Sequence, residues 1–506
     1  MPINIYRSGK CICESEAILG ETLLEHVTAA GLSIDAPCGG AGRCGKCLVR
    51  LSPDGEQVLA CQTLIESDIE VYLPEETDMK IAANAESGVQ KSEHSVPLGV
   101  AFDIGTTTVV AHLMEIETSS RIATASGVNA QRSYGADVIS RIKYCAANGH
   151  ETLTQVIRKQ LASLINQVIN DTGTNMQDIK YIAIAGNTIM EHLAAGYSPV
   201  SMGVIPFTPL SLFGEELPVW ENLPAGDLTK VYFTPAVKAF VGGDITAGMF
   251  AAKLEETNGP VIYLDIGTNG ELALKHGDKY YCCATAAGPA FEGAEITMGM
   301  AAIKGAINYV KWDNGLELSV IGNGEPHGLC GSGLIDILAV LLETGAVDDT
   351  GRLLDADEID HDISQNIGEK DGENVFWLTK GNNGVYVAAS DIRKMQLAKA
   401  AIAAGIVTLL KHSDIAVDQV KELILAGGFG SFMDINSAAG IGLFPKHFLP
   451  IAKALGNTAG EGAALALCSK SAREKLEDIR NRCEYIELST DPVFNEQFIE
   501  QMMFDV

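Results

Sequence analysis

Basic residues are scarce in this sequence. The 506 residues include 36 lysines and arginines against 65 aspartates and glutamates, which gives a net charge of −29 at pH 7. A chain with this balance repels the phosphates of nucleic acids and the surface of an anionic membrane, unless its few cations form a local patch. The lysines and arginines are scattered singly along the chain. We therefore expect no nucleic-acid partner.

Long apolar segments are missing as well. No uninterrupted apolar run approaches the ~18 residues that span a bilayer, and the N-terminal sequence MPINIYRSGK has no apolar signal core. We therefore expect a cytoplasmic protein without a membrane partner. Disulfides are rare in that compartment, so the twelve cysteines need another explanation.

The length and the composition predict several domains. Hydrophobic residues make up 47% of the chain, which supplies the side chains for large cores. Residues 1–78 are predicted to form a small β-rich domain, and the polar residues 79–97, which lack periodicity, a linker. Strands and amphipathic helices then alternate through two predicted lobes, 98–258 and 259–506. The last residues, NEQFIEQMMFDV, are expected to form a packed tail.

Four cysteines near the start of the chain have the spacing of an iron–sulfur site. The pattern is C-x5-C-x2-C, then thirteen residues, then a fourth cysteine, and its members are Cys38, Cys44, Cys47 and Cys61. Glycines in PCGGAGRCGKC separate the first three, so that the backbone can wrap inorganic sulfides and offer N–H groups to them. The loop resembles that of plant-type ferredoxins, with the longer first spacing of the adrenodoxin-like variant. We therefore predict a [2Fe–2S] cluster.

Zinc is the alternative occupant of these four thiolates. Structural zinc sites favour paired C-x2-C knuckles, and only one C-x2-C is present here. The other eight cysteines mostly lie in apolar stretches and are interpreted as small buried residues. Among them, the adjacent Cys282 and Cys283 are a weaker candidate for a second redox or metal site.

Two Asp-Ile-Gly-Thr loops predict a nucleotide site. One lies in FDIGTTTVVAHL and the other in LDIGTNGELAL, each after a predicted strand, and this self-similarity indicates two related lobes. Asp103 and Asp265 can hold Mg²⁺ through water, while the loops offer N–H and hydroxyl groups to phosphate oxygens. The predicted phosphate-binding residues are Gly105, Thr106, Thr107, Thr108, Gly267, Thr268 and Asn269. A simpler alternative for the three consecutive threonines is the capping of a hairpin.

A third glycine-rich loop and one further aspartate extend the predicted site. The downstream segment AGGFGSF allows the backbone to approach an adenosine closely, through Gly427, Gly428 and Gly430. Asp244 begins a predicted helix. It either orients the attacking water or Mg²⁺ across the cleft or serves only as an N-cap.

Four other residues have less certain roles in the sequence. Asn187, in AGNTIMEH, is as ambiguous as Asp244, and His192 on the same predicted helix is interpreted as structural rather than catalytic. Glu292 and Ser332 lie in glycine-rich segments at the predicted mouth of the second lobe. They are weak candidates for contact with nucleotide or with a partner.

The order of the three loops resembles that of the acetate and sugar kinase/actin superfamily. Members of this superfamily bind ATP in the cleft between two lobes of ribonuclease-H-like fold. The resemblance implies an α/β two-lobe ATPase core, preceded here by an α+β ferredoxin-like (β-grasp) domain. The sugar-binding and acetate-kinase substrate motifs are not found in the sequence.

A ferredoxin-type domain ahead of such an ATPase resembles one family, the reductive activators of corrinoid proteins. The resemblance covers nearly the whole chain and rests on PCGGAGRCGKC, VAFDIGTTT, AGNTIMEHL, VGGD, LDIGTNGE, GPAFEGA, CGSGLID and AGGFGSFMDINSA. Such proteins rescue methyltransferase systems in which corrinoid Co(I) has been oxidised to inactive Co(II). Some members carry a cysteine-rich C-terminal extension with two further clusters. We expect this chain to lack that extension, since only Cys468 and Cys483 follow Cys330.

The resemblance implies a specific activity. One electron from the [2Fe–2S] cluster would reduce Co(II) to Co(I) in a corrinoid protein, in a reaction driven by ATP and Mg²⁺. The implied partners are that corrinoid protein, an upstream low-potential electron donor and a second copy of the chain in a homodimer.

Two other functions fit parts of the sequence. An electron-injecting ATPase similar to the activators of hydroxyacyl-CoA dehydratases would hold a [4Fe–4S] cluster between two subunits, with far fewer cysteines. A small-molecule kinase with a ferredoxin-like regulatory domain would transfer phosphate to a sugar or a carboxylate. The iron count tests the first alternative and the phosphoryl acceptor tests the second.

Overall fold

The computed structural model describes residues 2–504 apart from 17, 31, 33, 35, 37–39, 41, 43, 44, 54, 56, 75–96, 227, 228, 382, 383, 431 and 432. Two of the predicted cluster ligands, Cys38 and Cys44, therefore lie outside the described residues. The same is true of the predicted linker 79–97, except for its last residue.

The N-terminal domain is a five-stranded mixed sheet with one helix. Its elements are β1 (Pro2–Arg7), β2 (Lys10–Glu16), α1 (Leu23–Ala29), β3 (Leu48–Arg50), β4 (Gln57–Leu59) and β5 (Ile69–Tyr72). The strand order is β2-β1-β5-β3-β4, with β1 and β5 parallel. A capping box between Thr22 and Glu25 starts the helix. The buried residues of this domain form a core of their own.

The first lobe is built on a six-stranded sheet. Its elements are β6 (Leu98–Ile104), β7 (Thr108–Glu115), β8 (Ser120–Val128), α2 (Val138–Asn148), α3 (Glu151–Thr172), β9 (Ile179–Gly186), α4 (Thr188–Ala195), β10 (Glu216–Pro218), β11 (Lys230–Phe233) and α5 (Gly243–Ala251). The strand order is β10-β11-β9-β6-β7-β8. The central strand β6 is almost continuously apolar because both of its faces are covered.

The second lobe contains a second six-stranded sheet and two smaller ones. Its elements are β12 (Val261–Ile266), β13 (Gly270–His276), β14 (Lys279–Thr285), β15 (Ala306–Trp312), β16 (Leu316–Val320), β17 (Gly328–Leu329), α6 (Gly331–Glu343), β18 (Ile367–Lys370), β19 (Glu373–Trp377), β20 (Tyr386–Ala388), α7 (Ala389–His412), β21 (Glu422–Ala426), α8 (Gly427–Gly430), α9 (Ile435–Gly440), β22 (Ala452–Gly456), α10 (Thr458–Cys468), α11 (Lys470–Arg482), β23 (Cys483–Tyr485) and α12 (Pro492–Glu500). The main sheet has the order β22-β21-β12-β13-β14-β23.

The two main sheets repeat one topology. In each lobe an antiparallel three-strand meander is extended by two strands parallel to its first strand, namely β9 and β11 beside β6, and β21 and β22 beside β12. The predicted phosphate loops follow β6 and β12, and therefore occupy equivalent places in the two lobes. This correspondence is what the repeated Asp-Ile-Gly-Thr pattern predicts.

Helices α5 and α10 cross between the lobes at small residues. A Cβ atom built at Gly462 would lie 2.2 Å from the carbonyl oxygen of Ala247, and one built at Gly248 would lie 2.0 Å from the hydroxyl of Tyr263. Only glycine allows this approach. The sequence predicts α5 to continue to residue 256, but it ends at Ala251, because Lys253 adopts a left-handed φ of 54°.

The C-terminal tail is packed, as predicted. Lys399 donates to the carbonyl oxygen of Met503, and the amide of Phe504 donates to the carbonyl oxygen of Asp349. Among the described residues, none of the helices combines the length and the apolar character needed to cross a lipid bilayer.

Candidate functional site

The first predicted phosphate loop is a tight turn between β6 and β7. The amide of Gly105 donates to the carbonyl oxygen of Thr108 at 2.8 Å, and a Cβ atom at Gly105 would lie 2.9 Å from that same oxygen. The hydroxyl of Thr106 accepts a hydrogen bond from Asn187, and that of Thr107 donates to Glu292. These two hydroxyls thus bind side chains outside the hairpin rather than the backbone of the hairpin itself.

The second loop has the same construction. The amide of Gly267 donates to the carbonyl oxygen of Asn269 at 2.9 Å, and Thr268 is buried. The hydroxyl oxygens of Thr107 and Thr268 lie 3.3 Å apart, so the two loops face each other. Both hydroxyls donate to Oε2 of Glu292 at 2.9 Å. The structure therefore brings both predicted loops into one cleft and adds Glu292 between them.

The three predicted catalytic aspartates form one electrostatic cluster. Burial and the neighbouring Asp265 raise the pKa of Asp103 to about 7, against a hydrogen bond from Asn457 that lowers it. Burial raises the pKa of Asp265 to about 6. Burial, then Asp265 and Asp103, raise the pKa of Asp244 above its usual range. Carboxylates packed this closely without a cation repel one another, which favours a cation among them.

Two further acidic residues, which the predicted motifs do not include, belong to this cluster. Burial and the charge of Asp244 raise the pKa of Glu191, and its Oε2 atom is buried without a hydrogen-bond partner. Burial, Asp244 and Asp265 likewise raise the pKa of Glu271. Two features of the sequence point to these residues. Glu191 is a charged residue within the largely apolar segment TIMEHLAA, and Glu271 directly follows the predicted phosphate loop LDIGTNG.

Asp244 is not an N-cap. The N-cap of α5 is Gly242, and Asp244 follows in the first turn, where its carboxylate accepts from the amide of Ile245 at 2.8 Å. The N-cap interpretation is therefore wrong. A Cβ atom at Gly242 would lie 2.5 Å from the Cα atom of Asn187, so the start of α5 is pressed against the start of α4.

Asn187 positions the first phosphate loop, and His192 has a structural role. Asn187 caps α4 through the amide of Met190 and also holds the hydroxyl of Thr106. His192 is buried, contacts the carbonyl oxygen of Thr188 through Nδ1, and accepts through Nε2 from the amides of Leu210 and Ser211. The histidine therefore connects α4 to the following loop, as expected for a structural residue.

The first glycine of the predicted adenosine loop, Gly427, lies against Asp265. Gly427 has a φ of +88°, and a Cβ atom there would lie 2.5 Å from Oδ1 of Asp265. Around Gly428, in contrast, a Cβ atom would meet no atom within 4 Å. Residues Gly427–Gly430, predicted as a glycine-rich turn, form one helical turn, α8. Ser332 is buried in α6 and donates to the carbonyl oxygen of Asn308, which gives it a structural contact.

Two of the four predicted cluster ligands lie among the described residues. Cys47 is buried, and its carbonyl oxygen accepts from the amide of Ala60, the residue before Cys61, at 2.8 Å. Gly40, Gly42 and Gly45 have φ values of 84°, 71° and 68°. Each of these values lies in the left-handed region, which glycine adopts without the steric cost of a side chain.

Neither the cleft nor the remaining cysteines form a preorganised metal site. In the part of the chain that the structure describes, no group of three or more histidine, cysteine or acidic residues could hold a metal ion directly. Cys282 is buried with its sulfur 3.6 Å from that of Cys483, and Cys283 is buried beside it. The two vicinal cysteines therefore match the interpretation as small buried residues.

Comparisons with known proteins cover nearly the whole chain. Two family profiles match it, one described as "RACo middle region" over residues 98–257 and one described as "C-terminal domain of RACo the ASKHA domain" over residues 259–506. The corrinoid activation enzyme RamQ of Eubacterium limosum is 33% identical over 96% of each chain. The Co(II) methylated amine-specific corrinoid protein reductase of Methanosarcina barkeri is 22% identical over 80% of this chain and 77% of that one.

A solved structure agrees with these sequence matches. The structure titled "Reductive activator for corrinoid,iron-sulfur protein" is 29% identical in sequence to this chain. The two structures superpose with a TM-score of 0.74, and the alignment covers 99% of this chain and 98% of the other. The chain therefore belongs to the RACo family of reductive activators of corrinoid proteins, and its C-terminal half is an ASKHA domain.

Proposed function

We propose that this chain reduces the cobalt of a corrinoid protein from Co(II) to Co(I) with one electron, in a reaction coupled to ATP hydrolysis. One observation carries this proposal: the domain that bears Cys47 and Cys61 docks directly beside the cleft in which the two phosphate loops meet. Lys46, the residue before Cys47, donates to the carbonyl oxygens of Gly293 and Gly299. Glu292, the residue before Gly293, accepts from both loops.

The N-terminal domain fits a [2Fe–2S] cluster. Its mixed sheet and single helix support the assignment to the ferredoxin-like β-grasp fold. The backbone of Cys47 bonds to the residue before Cys61. A Cβ atom at Gly40 would lie 4.0 Å from that of Cys61, so the described part of the glycine loop reaches the fourth ligand. With Cys38 and Cys44 they would supply the four thiolates. A cluster held there would accept and donate single electrons.

The cleft residues fit a magnesium nucleotide. Asp103, Asp244 and Asp265 would hold Mg²⁺ through water molecules, which agrees with the absence of a direct metal site in the described residues. Glu191, with an unpaired buried oxygen, is suited to orient the attacking water beside Asp244. The hydroxyls and amides of the two loops would bind the phosphates, and Gly428 leaves open space for an adenosine.

The coupling to ATP follows from the potentials involved. The reduction potential of a plant-type [2Fe–2S] centre is about −400 mV, and the reduction of a Co(II) corrinoid requires a lower potential. For one electron, each ~60 mV uphill costs about 1.4 kcal/mol, so a gap of ~200 mV costs about 5 kcal/mol. Lobe closure on ATP can offset this cost if the closed state binds the Co(I) form of the partner more tightly than the Co(II) form, because preferential binding of the reduced form raises the potential of the cobalt.

The remaining parts of the proposal rest on the family resemblance. An upstream low-potential donor returns one electron to the N-terminal domain after each transfer, and the chain acts in the cytoplasm as a homodimer. Its working parts are the domain 1–78, the linker 79–97 and the two lobes 98–258 and 259–506. Each of the three main cores falls within one of these ranges, which supports the division.

The test is an anaerobic assay with a Co(II) corrinoid protein. We expect about two irons and two sulfides per chain, hydrolysis of ATP that the Co(II) protein stimulates, and appearance of Co(I) absorbance only when both ATP and a low-potential reductant are present. Formation of Co(I) at the same rate without ATP would contradict the proposal.

Matched cysteine variants test the role of the quartet. Cys61→Ser should lose the iron and the formation of Co(I), while ATP still binds in the cleft. Cys11→Ser removes an exposed cysteine of the same domain outside the quartet and should retain both. Equal iron contents in the two variants would exclude the quartet as the cluster site.

A further inference from the structure

The N-terminal domain contacts both lobes beside the nucleotide cleft. Nζ of Lys46 donates to the carbonyl oxygens of Gly293 and Gly299 in the second lobe, at 2.9 and 3.1 Å. In the first lobe, the hydroxyl of Ser133 donates to the carbonyl oxygen of Ile34 at 3.3 Å. A domain held on both sides of a cleft is sensitive to any movement of one side against the other.

The two carbonyl oxygens that receive Lys46 belong to one rigid unit. Gly293 has a φ of +73°, and a Cβ atom there would lie 2.8 Å from the amide nitrogen of Met300. A Cβ atom at Gly299 would lie 2.2 Å from the carbonyl oxygen of Gly293. Because the two glycine backbones are in contact, a displacement of Gly293 disturbs both acceptors at once.

Glu292 connects this unit to the phosphate loops. Its Oε2 atom accepts from the hydroxyls of Thr107 and Thr268, both at 2.9 Å. These are hydroxyls that the sequence predicts to bind nucleotide phosphates. A hydroxyl has a single proton to donate, so a phosphate oxygen and the Glu292 carboxylate cannot both receive it. The two anions therefore compete for the same pair of donors.

The contact with the first lobe is connected to the same loop. The side-chain amide of Asn129 donates to the carbonyl oxygen of Gly105 at 2.8 Å, and its backbone amide donates to that of Thr107 at 2.8 Å. Asn129 also caps the short 3₁₀ helix Ala130–Tyr134, which carries Ser133. Both contacts of the N-terminal domain thus lead back to the first phosphate loop.

We propose that Glu292 acts as an internal substitute for a nucleotide phosphate and that nucleotide binding releases the N-terminal domain from the lobes. Phosphate oxygens take over the hydroxyls of Thr107 and Thr268, Glu292 withdraws, and the shift of Gly293 breaks the contacts of Lys46. The cysteine domain is then free to reach a partner only when nucleotide is bound. This device rests on the nucleotide binding proposed above and adds the order of events to it.

Reciprocity gives the proposal a second consequence. If nucleotide weakens the docking of the N-terminal domain, docking must weaken the binding of nucleotide by the same factor. Variants that abolish docking should therefore bind nucleotide more tightly, although they remove contacts from the protein.

The first experiment measures the accessibility of Lys46 in the full-length, iron-loaded protein. The rate of acetylation of each lysine by an amine-reactive ester is followed by mass spectrometry, with and without a non-hydrolysable ATP analogue and Mg²⁺. We expect the labelling of Lys46 to rise roughly five-fold or more on nucleotide binding, while the exposed Lys10 of the same domain keeps its rate. A rate at Lys46 that falls or stays constant while the analogue binds would overturn the proposal.

The second experiment measures the affinity for the analogue by calorimetry. Lys46→Met and Glu292→Ala should each bind it several-fold more tightly than the unmodified chain, and Lys10→Met should match the unmodified chain. In the Glu292→Ala variant, Lys46 should also be acetylated rapidly in the absence of nucleotide. The iron content verifies that Lys46→Met keeps its cluster, and Glu292→Ala tests the device without a change in the cysteine loop.

The outcomes separate this proposal from the proposed function. If the unmodified chain does not bind the analogue, both fail. If it binds the analogue and neither variant gains affinity, the competition between Glu292 and phosphate is wrong, and the ATP-dependent activity stands without it.

Discussion

The side-chain amide of Asn457 donates a hydrogen bond of 2.8 Å to Oδ2 of Asp103, across the boundary between the two lobes. Asn457 is also the N-cap of α10, where its Oδ1 atom accepts from the amide of Gly460 at 2.8 Å. One side chain of the second lobe therefore starts a helix and orients the aspartate of the first phosphate loop. The bond also opposes the rise in the pKa of Asp103 that burial causes.

The two functions of Asn457 can be separated by substitution. Serine caps helices about as well as asparagine but has no amide to donate to Asp103. Asn457→Ser should therefore keep the cap but lose the hydrogen bond to Asp103, which costs ~1.5–3 kcal/mol of stability, and it should lower ATP turnover because Asp103 is no longer held in place. Asn457→Ala should lose the same activity and, in addition, ~1 kcal/mol of stability. Full turnover in Asn457→Ser would show that the bond to Asp103 does not matter.

Asn457 also illustrates the limit of prediction from sequence. The motifs predict Asp103, Asp265 and the threonines to form one site, the structure brings them together in one cleft, and the family comparisons confirm the resemblance that those motifs support. The partner of Asp103 lies 354 positions away and carries no motif of its own. Local spacing predicts loops that follow strands, but contacts between elements distant in sequence depend on how the lobes pack.

The acidic cluster shows the same limit. Glu191 lies on a helix that is buried on nearly every side, so the sequence shows no exposed polar face that would give a direction for its side chain. Only the packing of α4 against the start of α5 places it beside Asp244. Similarly, the glycine content predicts a turn at Gly427–Gly430, and only the structure shows that this turn is helical and lies against Asp265.

Gly427 is expected to tolerate no side chain. Its φ of +88° is strained for any other residue, and an added Cβ atom would lie 2.5 Å from Oδ1 of Asp265 and 2.8 Å from the carbonyl oxygen of Ile266. Gly427→Ala should cost ~1–3 kcal/mol of stability and weaken the binding of Mg²⁺-ATP by displacing Asp265. The adjacent Gly428→Ala is the control for stability alone, because its Cβ atom would meet no protein atom within 4 Å but would project into the space proposed for the adenosine. Thermal unfolding of the two variants should differ clearly, and equal unfolding midpoints would contradict the packing of Gly427 against Asp265.

His192 predicts a specific dependence of stability on pH. Burial lowers its pKa to about 4 in the folded protein, against ~6.5 in the unfolded chain. Between these values the unfolded chain binds more protons, so the stabilising contribution is complete above pH ~6.5 and is lost as the pH falls towards 4. At about pH 5.5 the folded protein should have lost ~1.5 kcal/mol relative to neutral pH from this residue alone.

The control for this effect is His192→Gln, which keeps an acceptor for the amides of Leu210 and Ser211 but does not titrate. Urea unfolding at two pH values gives the decrease in the free energy of unfolding for each protein. The difference between the two decreases is the contribution of His192, because the two proteins share every other titrating group. A difference near zero would mean that the imidazole is not buried in its neutral form.

The crossing of α5 and α10 gives the last prediction. Gly462 lets α10 approach the backbone of α5, since an added Cβ atom would lie 2.2 Å from the carbonyl oxygen of Ala247, which cannot rotate away. Gly462→Ala should therefore push the helices apart and destabilise the protein by ~1–3 kcal/mol, although alanine favours helix. Gly440→Ala is the matched control in α9, because its Cβ atom would contact only that of Ala339 at 3.8 Å; it should be neutral or stabilising by up to ~1 kcal/mol. Equal unfolding midpoints for the two variants would contradict a close α5–α10 contact, and a loss of ATP turnover confined to Gly462→Ala would show that this contact positions the two phosphate loops.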